Sequence, residues 1–189
     1  MKRLLLLLLI IAGFLFYFSL GTKVTANLDH FIYELPFKNG SRYKVVQGYG
    51  GRFSHKNKAA LDFRMPEGTP IYAARGGKVY SYKEDSDEGG PLPGYNKKAN
   101  YIIIQHSDGS FGCYWHLRKG GVVTKRGRVW QGQLIGYSGS TGFVLRPHLH
   151  FTVKRILSYD KDAFVRTRFR TSDGVKHLES GEMYERPSD

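Results

Sequence analysis

Turn residues punctuate this chain so closely that long helices have no room. "KNGS" (38–41), "PEGTP" (66–70), "SDGS" (107–110) and the glycines of "VVTKRGRVWQGQLIGYSGSTG" (122–142) break it into short runs, and such clusters mark turns. The runs between them alternate apolar and polar residues, as half-buried strands do. "FIYELPF" (31–37), "RYKVVQGYGG" (42–51), "LDFRM" (61–65) and "HLHFTVKR" (148–155) all read this way. "IYAARGGKVYSY" (71–82) reads as a hairpin closed at Gly76-Gly77, and "NYIIIQHSDGSFGCYWHL" (100–117) as one around Asp108-Gly109. The polar stretch "EDSDEGGPLPGYNKKA" (84–99) is a long loop of the kind that rims a binding site. Beyond the first 26 residues no stretch of ten carries helical periodicity. The 23 Gly, 13 Tyr and 12 Phe suit short strands and tight turns. The expectation is all-β: one compact domain of mainly antiparallel strands over 27–189, preceded by a hydrophobic helix. Within it, 31–48 forms an N-terminal strand region, 49–155 the core and 156–189 the C-terminal strands.

The segment 1–26 is set apart. Lys2 and Arg3 precede the apolar run Leu4–Leu20, and Val24-Thr25-Ala26 offers the small residues that a signal peptidase needs. This reads as a signal peptide cleaved after Ala26, or as an uncleaved anchor that holds the domain to the inner membrane through 4–20. Either reading exports residues 27–189 to the cell envelope or periplasm. Cys113 is the only cysteine, so an intrachain disulfide and a paired-cysteine metal site are both excluded. The net charge is +13, and +10 for 27–189, since 1–26 hold Lys2, Arg3 and Lys23 and no acid. Such a domain is drawn to polyanions. For an exported chain these are anionic envelope polymers; no nucleic-acid motif is present.

Strand geometry sorts the histidines. Residues i and i+2 share a face. In "HLHFTV", His148, His150 and Thr152 point one way and Leu149, Phe151 and Val153 the other. In "FGCYWHL" the same rule groups Tyr114 with His116, and in "LDF" it sets Asp62 opposite its apolar neighbours. Taken singly, a strand histidine is a surface residue more often than a ligand. Together, two imidazoles and a carboxylate suit a catalytic zinc with one open position, and further histidines beside it can move protons. Tyr114 then contacts substrate or packs in the core. In "YSGSTGF" (137–143), Ser140 and Thr141 are small enough to let a substrate backbone approach, or serve turn geometry.

"SH" (54–55), "ALDFRMPEGTPIYAARGGKV" (60–79), "CYWHL" (113–117), "GQLIGYSGSTGF" (132–143) and "RPHLHF" (146–151) occur in family order. With these motifs the chain resembles the lysostaphin/LytM-type zinc metalloendopeptidases, over about 31–189. "YELPF" (33–37) and "GEMYERP" (181–187) resemble a bacterial-envelope branch. The resemblance implies one zinc per chain held by His55, Asp62 and His150, with His116 and His148 as the catalytic pair. Where the family's common first motif has its histidine, this chain has Lys58. His55, seven residues before Asp62, is the histidine carried over, and the added residues are expected to loop ahead of the strand.

The function so implied is an exported, monomeric zinc endopeptidase that cuts peptide cross-links of peptidoglycan by a metal-activated water, in the manner of a D,D-endopeptidase. Two alternatives stand beside it. One is a non-catalytic wall binder or hydrolase activator of the same fold; the other is a protease acting on an envelope protein.

Overall fold

The computed structural model describes residues 28–188. The signal peptide or anchor expected over 1–26, with its apolar run, lies outside the described residues. Strands Met183–Glu185, Arg42–Gln47, Ala60–Arg64, His148–Lys154, Phe111–Val122, Asn100–Gln105, Gly77–Lys83 and Arg128–Val129 lie side by side in that order. Each runs antiparallel to its neighbour. Two pairings are parallel: Leu28–Glu34 with Phe164–Thr171, and Gly142–Phe143 with Gly89–Gly90. Helix among the described residues is limited to two short 3-10 turns, Pro93–Lys98 and Lys161–Ala163.

The alternation of "HLHFTV" organises the core. Leu149, Phe151 and Val153 are buried on one face, with Leu61, Phe63, Ile102, Ile104 and Tyr114 from neighbouring strands. Phe169 and Tyr33, from the parallel pair, close over them, with Phe151 and Phe169 rings 5.8 Å apart. Each side chain of this size buried stabilises the fold by about 1.5–3 kcal/mol. Cys113 packs as a small apolar residue, and burial pushes its thiol up to about 12.

The hairpin around Asp108-Gly109 forms as expected: Asn100–Gln105 pairs with Phe111–Val122, and Gly109 takes a φ of +84° at the turn. The hairpin expected at Gly76-Gly77 does not form. Pro70–Tyr72 pairs instead with Leu134–Ser138, and Gly77–Lys83 with Asn100–Gln105 and Arg128–Val129. Among the described residues neither Gly76 nor Gly77 has a positive φ, so neither makes the primed turn that a two-residue hairpin needs. A Cβ on Gly77 would lie 2.2 Å from the Gln105 carbonyl oxygen. These glycines let strands approach closely; they do not reverse the chain. The stretch 84–99 holds the bridge Gly89–Gly90 and the turn Pro93–Lys98.

One polar contact ties the N-terminal strand to that hairpin tip. The Arg75 guanidinium lies over the Phe31 ring at 4.1 Å, donates to the Tyr33 hydroxyl and pairs with Asp108 at 2.8 Å. Burial alone would raise the Asp108 pKa, but hydrogen bonds from Ser110 and the Arg75 charge outweigh it and hold it at about 2. A carboxyl with a depressed pKa contributes stability above its unfolded value, near 3.9, and loses it as pH falls through the folded value. Asp108→Asn is therefore expected to lower the melting temperature at pH 7. The gap to the wild type should close as pH falls from about 4 toward 2, followed by circular dichroism.

Candidate metal centre and groove

His150 lies directly opposite Asp62 across the pair formed by His148–Lys154 and Ala60–Arg64. Residues opposite one another share a face, so the register alone brings this imidazole to this carboxylate. His150 Nδ1 stands 2.8 Å from Asp62 Oδ1. His55 arrives from the segment between Gly50 and Lys58. That segment is folded back by hydrogen bonds from Gly50 N to Lys58 O, from His55 N to Gly51 O and from Lys58 N to His55 O. Asn57 takes a left-handed φ of +61° at the reversal. The added residues thus form the loop expected ahead of the strand. They set His55 Nε2 3.2 Å from His150 Nδ1 and 3.2 Å from Asp62 Oδ1.

These spacings fit a metal. Ligands about 2.0–2.2 Å from a tetrahedral zinc stand roughly 3.3 Å from one another. Tautomers add a second test. His55 Nδ1 donates to the Gly48 carbonyl at 3.0 Å, which leaves a lone pair on Nε2 of the neutral ring. That lone pair faces a carboxylate oxygen and a second imidazole nitrogen, an arrangement that a cation between them satisfies. Among the described residues, His55, Asp62 and His150 form the one cluster whose donor atoms lie close enough to hold a metal ion. Burial would raise the Asp62 pKa, but the hydrogen bond from His150 Nδ1, with the histidines around it, overrides it and holds the carboxyl well below its usual range. His150 is pushed down by burial despite its contact with Asp62. Asp62 thereby keeps its charge and burial favours the neutral His150 ring, the charge states that metal binding calls for.

Gln47 completes this cluster, and nothing in its sequence context marks it. Its Nε2 donates to Asp62 Oδ2 at 2.9 Å, so Oδ1 is the oxygen left facing the histidines. Its Oε1 accepts from the backbone N–H groups of Phe53 and Ser54. One amide thus orients the carboxylate and fastens the loop that carries His55.

His116 reaches the groove by an irregularity. Its strand pairs Tyr114 with Phe151 and Trp115 with His150, which puts Trp115 on the groove side and Tyr114 on the core side. Strict alternation would then bury His116. Instead the pairing with Asn100–Gln105 jumps from Trp115 to Leu117, and His116 is the extra residue of a bulge, with a φ of +65°. The bulge turns its ring back toward His148, with centroids 4.7 Å apart. His116 Nδ1 donates to the Thr141 carbonyl at 2.7 Å and His148 Nδ1 to that of Arg146 at 2.8 Å. In the neutral ring each Nε2 is then the nitrogen that carries the lone pair. Burial, with the neighbouring His148 and His150, brings His116 down to about 3, so it is neutral at physiological pH.

Of the three residues expected to touch substrate, Tyr114 and Thr141 are otherwise engaged. Tyr114 does not share the His116 face, because His116 is itself the bulged residue. Its ring is buried against Phe151, and its hydroxyl accepts from Ala74 N at 2.8 Å. Thr141 is buried; its hydroxyl donates to Leu117 O and accepts from Asn100 N, and its carbonyl holds His116. Ser140 packs its carbonyl where a Cβ on Gly89 would stand. None of the three lines the hollows beside the histidines.

Those hollows, about 460 and 300 Å³, share Phe53, Ser54, His116, Phe143 and His150 as walls. The larger extends past Trp115 to Lys58 and Lys154, the smaller past Asp62 to Arg64 and Arg146. Phe53 and Phe143 stack at 5.8 Å where the two meet. Pro93 and Asn96 of the 84–99 segment line the larger, as expected of a rim.

Known proteins are similar to this chain. The model of peptidase family M23 matches residues 56–163, starting one residue after His55. The peptidoglycan DD-endopeptidase ShyA of Vibrio cholerae is 40% identical over 156 residues, 71% of this chain and 33% of that protein. The glycyl-glycine endopeptidase ALE-1 of Staphylococcus capitis is 38% identical over 115 residues, 59% of this chain and 29% of that one. The chain thus spans a third or less of the length of these relatives. Among solved structures, the M23 metalloprotease pseudoalterin from the deep sea has a TM-score of 0.51 at 16% identity, over 82% of this chain and 95% of that one. At that identity the likeness is one of fold.

Zinc is expected to raise the melting temperature of the metal-free protein. Gln47→Leu keeps the three donor side chains but frees the Asp62 carboxylate and the His55 loop, and should weaken zinc binding by about 10–100-fold, as read by competition with a chromophoric chelator.

Proposed function

The chain belongs to peptidase family M23, and from that premise we propose that it is a zinc endopeptidase hydrolysing peptide cross-links of peptidoglycan. The observation that carries this reading is the convergence of three metal-competent donors beside two histidines whose tautomers the backbone fixes. In it His55, Asp62 and His150 hold one zinc, and His116 and His148 work on protons. Zinc bound there supplies the Lewis acidity that activates water at neutral pH.

The chain's own groups do the rest. A neutral His116 or His148 accepts the proton of the attacking water at Nε2. Its ring is already oriented by the bond from Nδ1, so little is spent on alignment. The protonated ring then donates to the developing oxyanion or to the departing amine. The stacked Phe53 and Phe143 rings and the Trp115 side chain give the site apolar walls, which strengthens these polar contacts.

Between bonds, the longer match with a DD-endopeptidase than with a glycyl-glycine endopeptidase favours a D,D-cross-link. That substrate lies outside the cytoplasm, in keeping with export through the apolar segment 4–20.

Zinc-loaded protein incubated with purified sacculi is expected to deplete cross-linked muropeptide dimers, as read by mass spectrometry. A chelator should abolish this and added zinc restore it. His148→Ala should keep zinc and lose about 10²–10⁴ in rate, whereas His150→Ala should lose both zinc and activity. Sacculi that bind the protein and stay intact would instead identify a wall binder; sacculi neither bound nor cut would favour a protein substrate.

A further inference from the structure

Lys154 lies four residues beyond His150 on the same strand and, by alternation, on the same face. Cα spacing puts it about 13 Å along the strand from His150. It lines the larger hollow together with His150, His116 and Trp115, yet it is only 6% exposed. Its ammonium lies 4.2 Å from the centre of the Tyr159 ring and 4.6 Å from that of Phe164, and donates one hydrogen bond, to Ser158 O at 2.8 Å.

A charged amine is costly to keep in such a place. Burial lowers its pKa, and the charge of Lys58, on the same wall, adds to the cost. The aromatic rings offset part of this, but an ammonium has three donors and the structure shows one in use. If Lys154 served only to fill the space between two rings, an uncharged side chain of similar length would serve at lower cost. The walls of this hollow hold Lys58 and Lys154 and no Asp or Glu. The hollow therefore offers a desolvated cation, framed by rings, at a fixed distance from the reacting centre and without an acid of its own to neutralise it.

We propose that Lys154 is a specificity residue that binds a free carboxylate of the peptide substrate, several residues along from the scissile bond. This rests on the peptidoglycan reading above and deepens it: the enzyme selects acidic peptides over their amidated counterparts. The carboxylate takes the ammonium donors left over from Ser158, and the contact acts mainly through KM, because it is remote from the reacting atoms.

The test uses two probes: the soluble cross-linked muropeptide dimer with its native carboxylates, and the same dimer with those groups converted to carboxamides. Wild type, Lys154→Met and Lys154→Arg are compared for kcat and KM. Binding of both probes to zinc-free protein is measured in parallel by calorimetry. Wild type is expected to favour the carboxylate dimer by about tenfold in KM. Lys154→Met should erase that preference by raising KM for the carboxylate dimer to that of the amidated one, and Lys154→Arg should largely restore it. Equal KM for the two dimers in wild type, or an equal loss on both in Lys154→Met, overturns the proposal and leaves the endopeptidase reading intact. Lys154-dependent binding of the carboxylate dimer without cleavage supports the carboxylate site and sinks the endopeptidase reading. Neither binding nor cleavage sinks both.

Discussion

Everything at the candidate centre depends on the register between Ala60–Arg64 and His148–Lys154. Five consecutive pairs run from His148 opposite Arg64 to Thr152 opposite Ala60, with His150 against Asp62 at their middle. A slip of one residue would carry both imidazoles to the core face and Leu149 and Phe151 to the groove. The apolar set prevents this: Leu149 and Phe151 are buried beside Leu61 and Phe63 and would have to leave the core together. The metal-competent pair is therefore held by hydrophobic burial on the opposite face of the sheet, several kcal/mol in total at about 1.5–3 kcal/mol for each large side chain.

Three of the four histidines at the centre take their orientation from backbone carbonyls. Gly48, Thr141 and Arg146 accept from Nδ1 of His55, His116 and His148. A carbonyl cannot donate, so each contact fixes a tautomer as well as a ring angle. His150 is the exception, for its Nδ1 is the atom that faces Asp62. The carbonyls come from segments outside the central strands, two of them in glycine-rich or proline-flanked turns. This gives the conspicuous turn chemistry of "SGSTG" and "RPH" a role that substrate contact alone would not: those turns set the rings.

The strand character, the dominant antiparallel pairing and the groove face of His148 and His150 were legible because period-two alternation reports faces directly. The groove-side position of Trp115 and the core position of Tyr114 were not. Within one strand, alternation fixes only relative faces, and the bulge at His116 resets them with no marker in "CYWHL". Gly76-Gly77 misled for a related reason: paired glycines signal either a reversal or a close approach, and only the partner strand decides between them. Gln47 and Lys154 were invisible because their roles arise from contacts across sequence separations of 15 residues and from the packing of rings around an amine. The spacing of His55 was readable as a loop; that the loop closes onto Asp62 required the turn bonds around Asn57 and the Gln47 amide.

Charge placement links the centre to the whole chain. Asp62 is the sole acid lining either hollow, and its carboxylate is committed to the histidines and Gln47. Lys58 and Lys154 stand on one side of it, Arg64 and Arg146 on the other. A divalent cation bound by two neutral imidazoles and one carboxylate would leave the centre with net positive charge as well. The groove is thus electropositive along its length and set in a domain of net charge +10 over residues 27–189. Such a field speeds the arrival of anionic ligands and weakens with salt, but exposed Arg64 and Arg146 are screened where buried Lys154 is not. Under the proposals above, attraction to an anionic polymer and discrimination between peptides separate physically. The first would belong to the surface cations and fall with ionic strength, and the second to the groove cation held against the Tyr159 and Phe164 rings.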